Sequence, residues 1–138
     1  MLFRSKEKTI KMVQYIFLIS GVYGILMLLP QFFRENIFAP LTHPEFFYGF
    51  LIVTMGFQAL FLLIASNPAR YRKSMLVCLI PKAGFVSTCF LLFIQHRLAK
   101  DMFITSFGDM LMLLLFCYSY IITSAKFFAE QISTRETE

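Results

Sequence analysis

Two ionisable residues, Lys82 and Asp109, stand inside long apolar runs of this sequence. A charge at the centre of a bilayer costs about 3 kcal/mol or more, so such a side chain normally faces a protein interior and finds a partner there. A lysine ammonium can anchor an anionic or carbonyl-bearing group, and a carboxylate can exchange protons with it. Neutral polar residues accompany the two, with Ser20, Gln58 and Tyr118 also lying in apolar segments. Together Lys82, Asp109, Gln58, Ser20 and Tyr118 form the candidate ligand-binding set.

Helical geometry places these groups in depth. Counted from a span starting at Met75, Lys82 lies about 10 Å from one surface. Counted from Phe103, Asp109 lies about 9 Å from the other. Straight helices across about 30 Å of hydrocarbon then leave roughly 10 Å between the two Cα atoms. A lysine reaches about 6 Å. A direct ion pair therefore requires tilt, a kink at Pro81 or a bridging water. Ser20 and Gln58 fall nearly level with Lys82, with Tyr118 not far below, and Thr54 and Thr88 lie close to the level of Asp109. Two polar layers are expected.

Competing roles exist for each group. Lys82 can snorkel toward the headgroups, and Asp109 can be protonated structural glue between helices. Helical periodicity favours an inward face for both. Cys78, Lys82, Phe85, Cys89, Leu92 and His96 form one 3-4 stripe, and Thr105, Asp109, Met112, Phe116, Ser119 and Thr123 another. Pro81 leaves the Val77 carbonyl without its helical donor, beside Lys82.

Other chemistry finds no support. Cys78, Cys89 and Cys117 sit in apolar segments with no CxxC, and read as small hydrophobes. His43 and His96 are isolated, so neither a metal nor a cofactor is expected. There is no phosphate loop, paired-His zinc motif or nucleophile elbow. The first-span glutamate of small multidrug-resistance transporters has no counterpart, nor has the Arg/Asn/Glu constellation of membrane glutathione-transferase-type enzymes.

The elements that must carry these residues are membrane spans. Hydrophobic types make up 58% of the 138 residues and charged types only 15%, too few to clothe that apolar surface in water. Four stretches have the length a bilayer demands: Met12–Pro30, Phe46–Ser66, Met75–Ile94 and Phe103–Thr123. Each is apolar all round, so the expected fold is all-α, a single domain forming a transmembrane antiparallel four-helix bundle. The first span is too long for a signal-peptide core and no A-x-A-like site follows it, so it is expected to remain uncleaved.

The net charge of +5 is distributed topogenically, in clusters between the spans, and implies no nucleic acid. Arg4, Lys6, Lys8 and Lys11, then Arg70, Arg72 and Lys73, then Lys126 and Arg135 fall on one side; Arg34, Arg97 and Lys100 fall on the other. Nine against three places both termini in the cytoplasm of a cell whose inner membrane holds the chain. Tyr15, Tyr71 and Tyr120 mark the inner boundary, and Phe32, Phe33, Phe46, Phe47 and Tyr48 the outer one. Ser20, Gly21 and Gly24, with Gly49 and Gly56, are expected at close helix contacts. The loop Gln31–Glu45 lies on the membrane or caps the bundle.

The run His43-Pro44-Glu45-Phe46-Phe47-Tyr48-Gly49, Gln58 in mid-span, Asn67-Pro68-Ala69-Arg70-Tyr71-Arg72, a lysine in span three and an Asp early in span four resemble small bacterial membrane proteins of the DoxX-like type. The resemblance covers about residues 43–115 and implies a four-helix bundle. It also implies a link, in some relatives, to quinone- or sulfur-related electron transfer. A structurally similar eukaryotic group includes sterol isomerases and sterol-binding proteins that use buried acids in a central cavity; here Asp109 alone corresponds. The expected function is a binding or accessory protein, not an enzyme, with an interior polar pocket for a lipophilic ligand such as a quinone or a lipid. The alternatives are a membrane enzyme or redox-chain subunit in which Lys82 and Asp109 transfer protons, and a transporter. The last would need a homo-oligomer, since four helices are too few for a wide pathway.

Overall fold

A computed structural model describes residues 2–34, 43–98 and 100–123. Residues 35–42, within the predicted first loop, lie outside the described residues, as do Lys126 and Arg135. The chain is an all-α bundle of four helices: α1 (Leu2–Leu28), α2 (Pro44–Ser66), α3 (Arg72–Ile94) and α4 (Lys100–Ile122). Each is long and apolar enough to cross a bilayer, and the chain is a multi-pass membrane protein.

Local chemistry sets the ends. Pro30 falls in the first turn of a 3-10 helix, Leu29–Phe33, that finishes α1, and Pro44 opens α2, where a missing N–H is harmless. After α2 the Asn67 carboxamide accepts from the Arg70 N–H at 3.1 Å and its carbonyl from the Tyr71 N–H at 3.1 Å, making the turn that Asn67-Pro68 predicts. The C-terminus of α3 is a Schellman motif. The Arg97 N–H donates to the Leu92 carbonyl at 2.9 Å and the His96 N–H to that of Phe93 at 3.0 Å. His96 occupies its left-handed position at φ 56°, a conformation that burdens any residue with a Cβ. His96→Gly is expected to stabilise the bundle by about 1 kcal/mol, read as a higher unfolding midpoint in detergent. α3 continues through Pro81.

The helices pack as two hairpins. α1 lies broadly against α2 and α3 against α4, while narrower α2–α3 and α1–α4 seams join the pairs. Contacts run antiparallel, with Gly21 against Leu62 and Phe93 stacked on Phe103. The four helices meet most tightly at the basic end, where α1 and α3 begin and α2 and α4 finish. There Val13, Phe17, Phe61, Ile64, Met75, Cys78 and Phe116 are fully or almost fully buried. Phe17 stacks on Phe116 at 4.5 Å, and Phe61 meets Phe116 edge-on at 4.9 Å, so three rings tie α1, α2 and α4. Phe116→Ala is expected to cost about 2 kcal/mol. Lipid, not water, is the alternative environment, so the cavity term carries most of that loss.

The outer surface is inverted relative to a water-soluble bundle. Leu26, Ile80, Ile104 and Ile121 are each about two-thirds exposed, and at most 22% of an apolar 18-residue stretch of any span is buried within the protein. That surface is the lipid contact. Of the glycines expected at close contacts, Gly21 and Gly24 serve that way, whereas among the described residues nothing approaches within 4 Å of a Cβ built on Gly49 or Gly56.

Candidate functional site

α3 and α4 carry the centre of the site. Lys82 donates to Asp109 Oδ1 in a direct ion pair between the two helices. Depth counting from the apolar runs keeps these groups apart, and the difference has a simple origin. α3 starts at Arg72 and α4 at Lys100, three residues before each apolar run. From those starts Lys82 lies about 15 Å along α3 and Asp109 about 14 Å along α4. In antiparallel helices about 33 Å long, their Cα levels then differ by only about 5 Å, within a lysine's reach. The two expected polar layers merge here.

Both members sit on the inward stripes that periodicity predicts. Cys78 and Cys89, one and two turns from Lys82 on α3, are buried, as are Ser106, Phe116, Ser119 and Thr123 on the face of Asp109. The side chains of Lys82 and Asp109 nevertheless keep 23% and 30% of their surface exposed. The pair is thus interior in direction yet reachable. The ammonium has three N–H donors and uses one on Asp109 Oδ1; the other carboxylate oxygen remains an acceptor.

Ser20 on α1 approaches from across the α1–α4 seam. Its hydroxyl is buried, is 2.7 Å from the Ile16 carbonyl and lies 3.1 Å from the thioether of Met112, one turn from Asp109. Gln58 is also buried, but its amide donates to its own helix, at 3.2 Å to the Thr54 carbonyl. The carboxamide end fills the notch left by Gly24, where any Cβ would collide with it. Gln58 therefore serves the α1–α2 contact. Tyr118 does not turn inward. It sits between the buried Phe116 and Ser119 positions, rotated off that stripe, and is 49% exposed. The five candidates do not line one pocket: Lys82 and Asp109 pair, Ser20 is close to them in the seam, and Gln58 and Tyr118 stand apart.

Two clefts open instead at the basic end, on either side of α1. One of about 450 Å³ lies between α1 and α4 and includes Ser20, Met112 and Leu115. The other, about 420 Å³, lies between α1 and α2. Both include Lys11 and Tyr15. Lys8 also lines the first cleft, and charge distribution alone assigns both lysines to topology. Sequence reading misses Arg72, whose guanidinium lies 4.1 Å over the Tyr120 ring and donates at 3.4 Å to the Tyr120 carbonyl, while its Nε is buried without a partner. Nothing in a single sequence couples positions 72 and 120. Cys78, Cys89 and Cys117 are free thiols, the first two buried.

Comparison of the chain with family models, with curated proteins and with solved structures returns no match. The DoxX-like resemblance of residues 43–115 therefore rests on its motifs alone.

Proposed function

We propose that this chain is a small binding or accessory protein of the inner (cytoplasmic) membrane that holds a carbonyl-bearing lipophilic ligand, such as a quinone, against the Lys82–Asp109 pair. One observation carries the reading: an ion pair near the middle of two apolar helices, on inward helix faces, that keeps about a quarter of its surface open. Such groups are costly in hydrocarbon, and a site of use is their usual justification. The pair is net neutral, which favours a neutral ligand over an anionic one. It offers a donor and an acceptor side by side, the complement of a quinone carbonyl or quinol hydroxyl. The DoxX-like motifs agree with a quinone-related role, and the nine-to-three distribution of basic residues supports cytoplasmic termini. The direct contact between ammonium and carboxylate favours a second reading, in which the pair exchanges protons with that ligand.

The test is to extract and identify the lipophilic molecules that copurify with the protein from its native membrane. Quinone retained by the wild-type chain and lost from Lys82→Met/Asp109→Leu supports the proposal. Equal recovery from both, or none from either, refutes it.

A further inference from the structure

We propose that the cleft between α1 and α4 binds an anionic phospholipid from the leaflet that meets the amino terminus. The cleft follows α1 from Lys8 to Ser20, and its part below Lys11 runs nine residues or about 14 Å of helix. One leaflet of hydrocarbon is about 15 Å deep, so the cleft matches the depth of one acyl chain. Its surface is almost wholly apolar, formed by Ile16 and Ile19 of α1 facing Met112 and Leu115 of α4. Polarity is confined to its two ends. Ser20 closes the deep end, already engaged with Ile16 and Met112. At the shallow end stand Lys8 and Lys11, placed where a phosphate would lie, with the ring of Tyr15 one turn deeper.

The charge at that mouth selects the headgroup. Lys11 is held by Glu7 at 2.7 Å, which offsets one lysine and leaves the described residues of the mouth with a net positive charge from Lys8. An apolar slot ending in cationic groups at headgroup depth complements a two-part ligand with a negative head and an apolar tail. The same slot would hold a zwitterionic lipid by its chain alone. This site is separate from the Lys82–Asp109 pair, neither member of which lines it, and it does not depend on the ligand proposed there.

The experiment is native mass spectrometry of the full chain released from bilayers containing equal phosphatidylglycerol and phosphatidylcholine in both leaflets, so that orientation does not enter. Wild-type protein is expected to retain phosphatidylglycerol over phosphatidylcholine by about fivefold, the contribution of roughly one basic residue at a membrane surface. Lys8→Gln/Lys11→Gln, both exposed changes, should abolish the preference while leaving total lipid retention similar. Ile19→Trp, which fills the slot, should reduce both lipids together. Lys82→Met/Asp109→Leu should retain lipid as the wild type does. Equal retention of the two lipids by the wild type, a preference that survives removal of both lysines, or lipid retention unchanged by Ile19→Trp would each overturn the proposal.

Discussion

Lys82→Met is expected to destabilise the bundle by about 3 kcal/mol, and Lys82→Met/Asp109→Leu to recover all but about 1 kcal/mol of that loss. Removing the ammonium alone leaves the Asp109 carboxylate near mid-bilayer without its partner, and the desolvation cost is then uncompensated. The figure sits at the low end for a broken buried pair because both side chains keep some exposure, 23% and 30%. Removing both charges replaces the pair with apolar side chains suited to lipid and to the neighbouring Cys78 and Cys89 face. A double-mutant cycle, read by denaturant titration in bicelles, checks it. Strict additivity of the two single variants would show that the side chains do not meet.

The second large effect concerns the α1–α2 contact. Gly21→Val and Gly24→Val are each expected to cost about 3 kcal/mol, by forcing apart helices that touch through the missing side chains. Their rescue should differ. A Cβ on Gly24 strikes the carboxamide of Gln58, so Gln58→Ala should recover much of the loss at that position. A Cβ on Gly21 meets Leu62 Cδ2 at 2.8 Å and the backbone carbonyl of Gln58 at 3.2 Å. No substitution at Gln58 removes that carbonyl, and Gln58→Ala should leave Gly21→Val as unstable as before. Rescue of both variants, or of neither, would contradict the described packing.

The spans are legible in the sequence because continuous apolar runs of that length have few other uses in a protein. The inward faces of α3 and α4 are legible from the 3-4 stripes, and Cys78, Phe116 and Ser119 lie where those stripes put them. The ion pair is harder. Its directness depends on helix starts at Arg72 and Lys100, and hydropathy cannot place a helix boundary within a charged segment. Depth alone groups Tyr118 with the other candidates, although its position off the Phe116–Ser119 stripe already turns it outward. Gly24 and Gly56 look alike in sequence. Only the presence of Gln58 against the first, and of no described residue against the second, separates a packing notch from an open helix face.

The site divides along the same line. Residue type and the cost of a charge in hydrocarbon are enough to single out Lys82 and Asp109 within their apolar runs. The clefts beside α1 arise from the spacing of helices and leave no periodic trace. The ion pair lies beyond the tight basic end, near the middle of α3 and α4, which is where the proposed ligand would meet it.

Photolabelling with a short-chain azidoquinone in bilayers, followed by mapping of the labelled peptides, tests that placement most directly. Label on α3 and α4 around Lys82 and Asp109, competed by unmodified quinone and absent from Lys82→Met/Asp109→Leu, is the predicted result. Label spread evenly over the lipid-facing surface, or unchanged when the pair is removed, would contradict it.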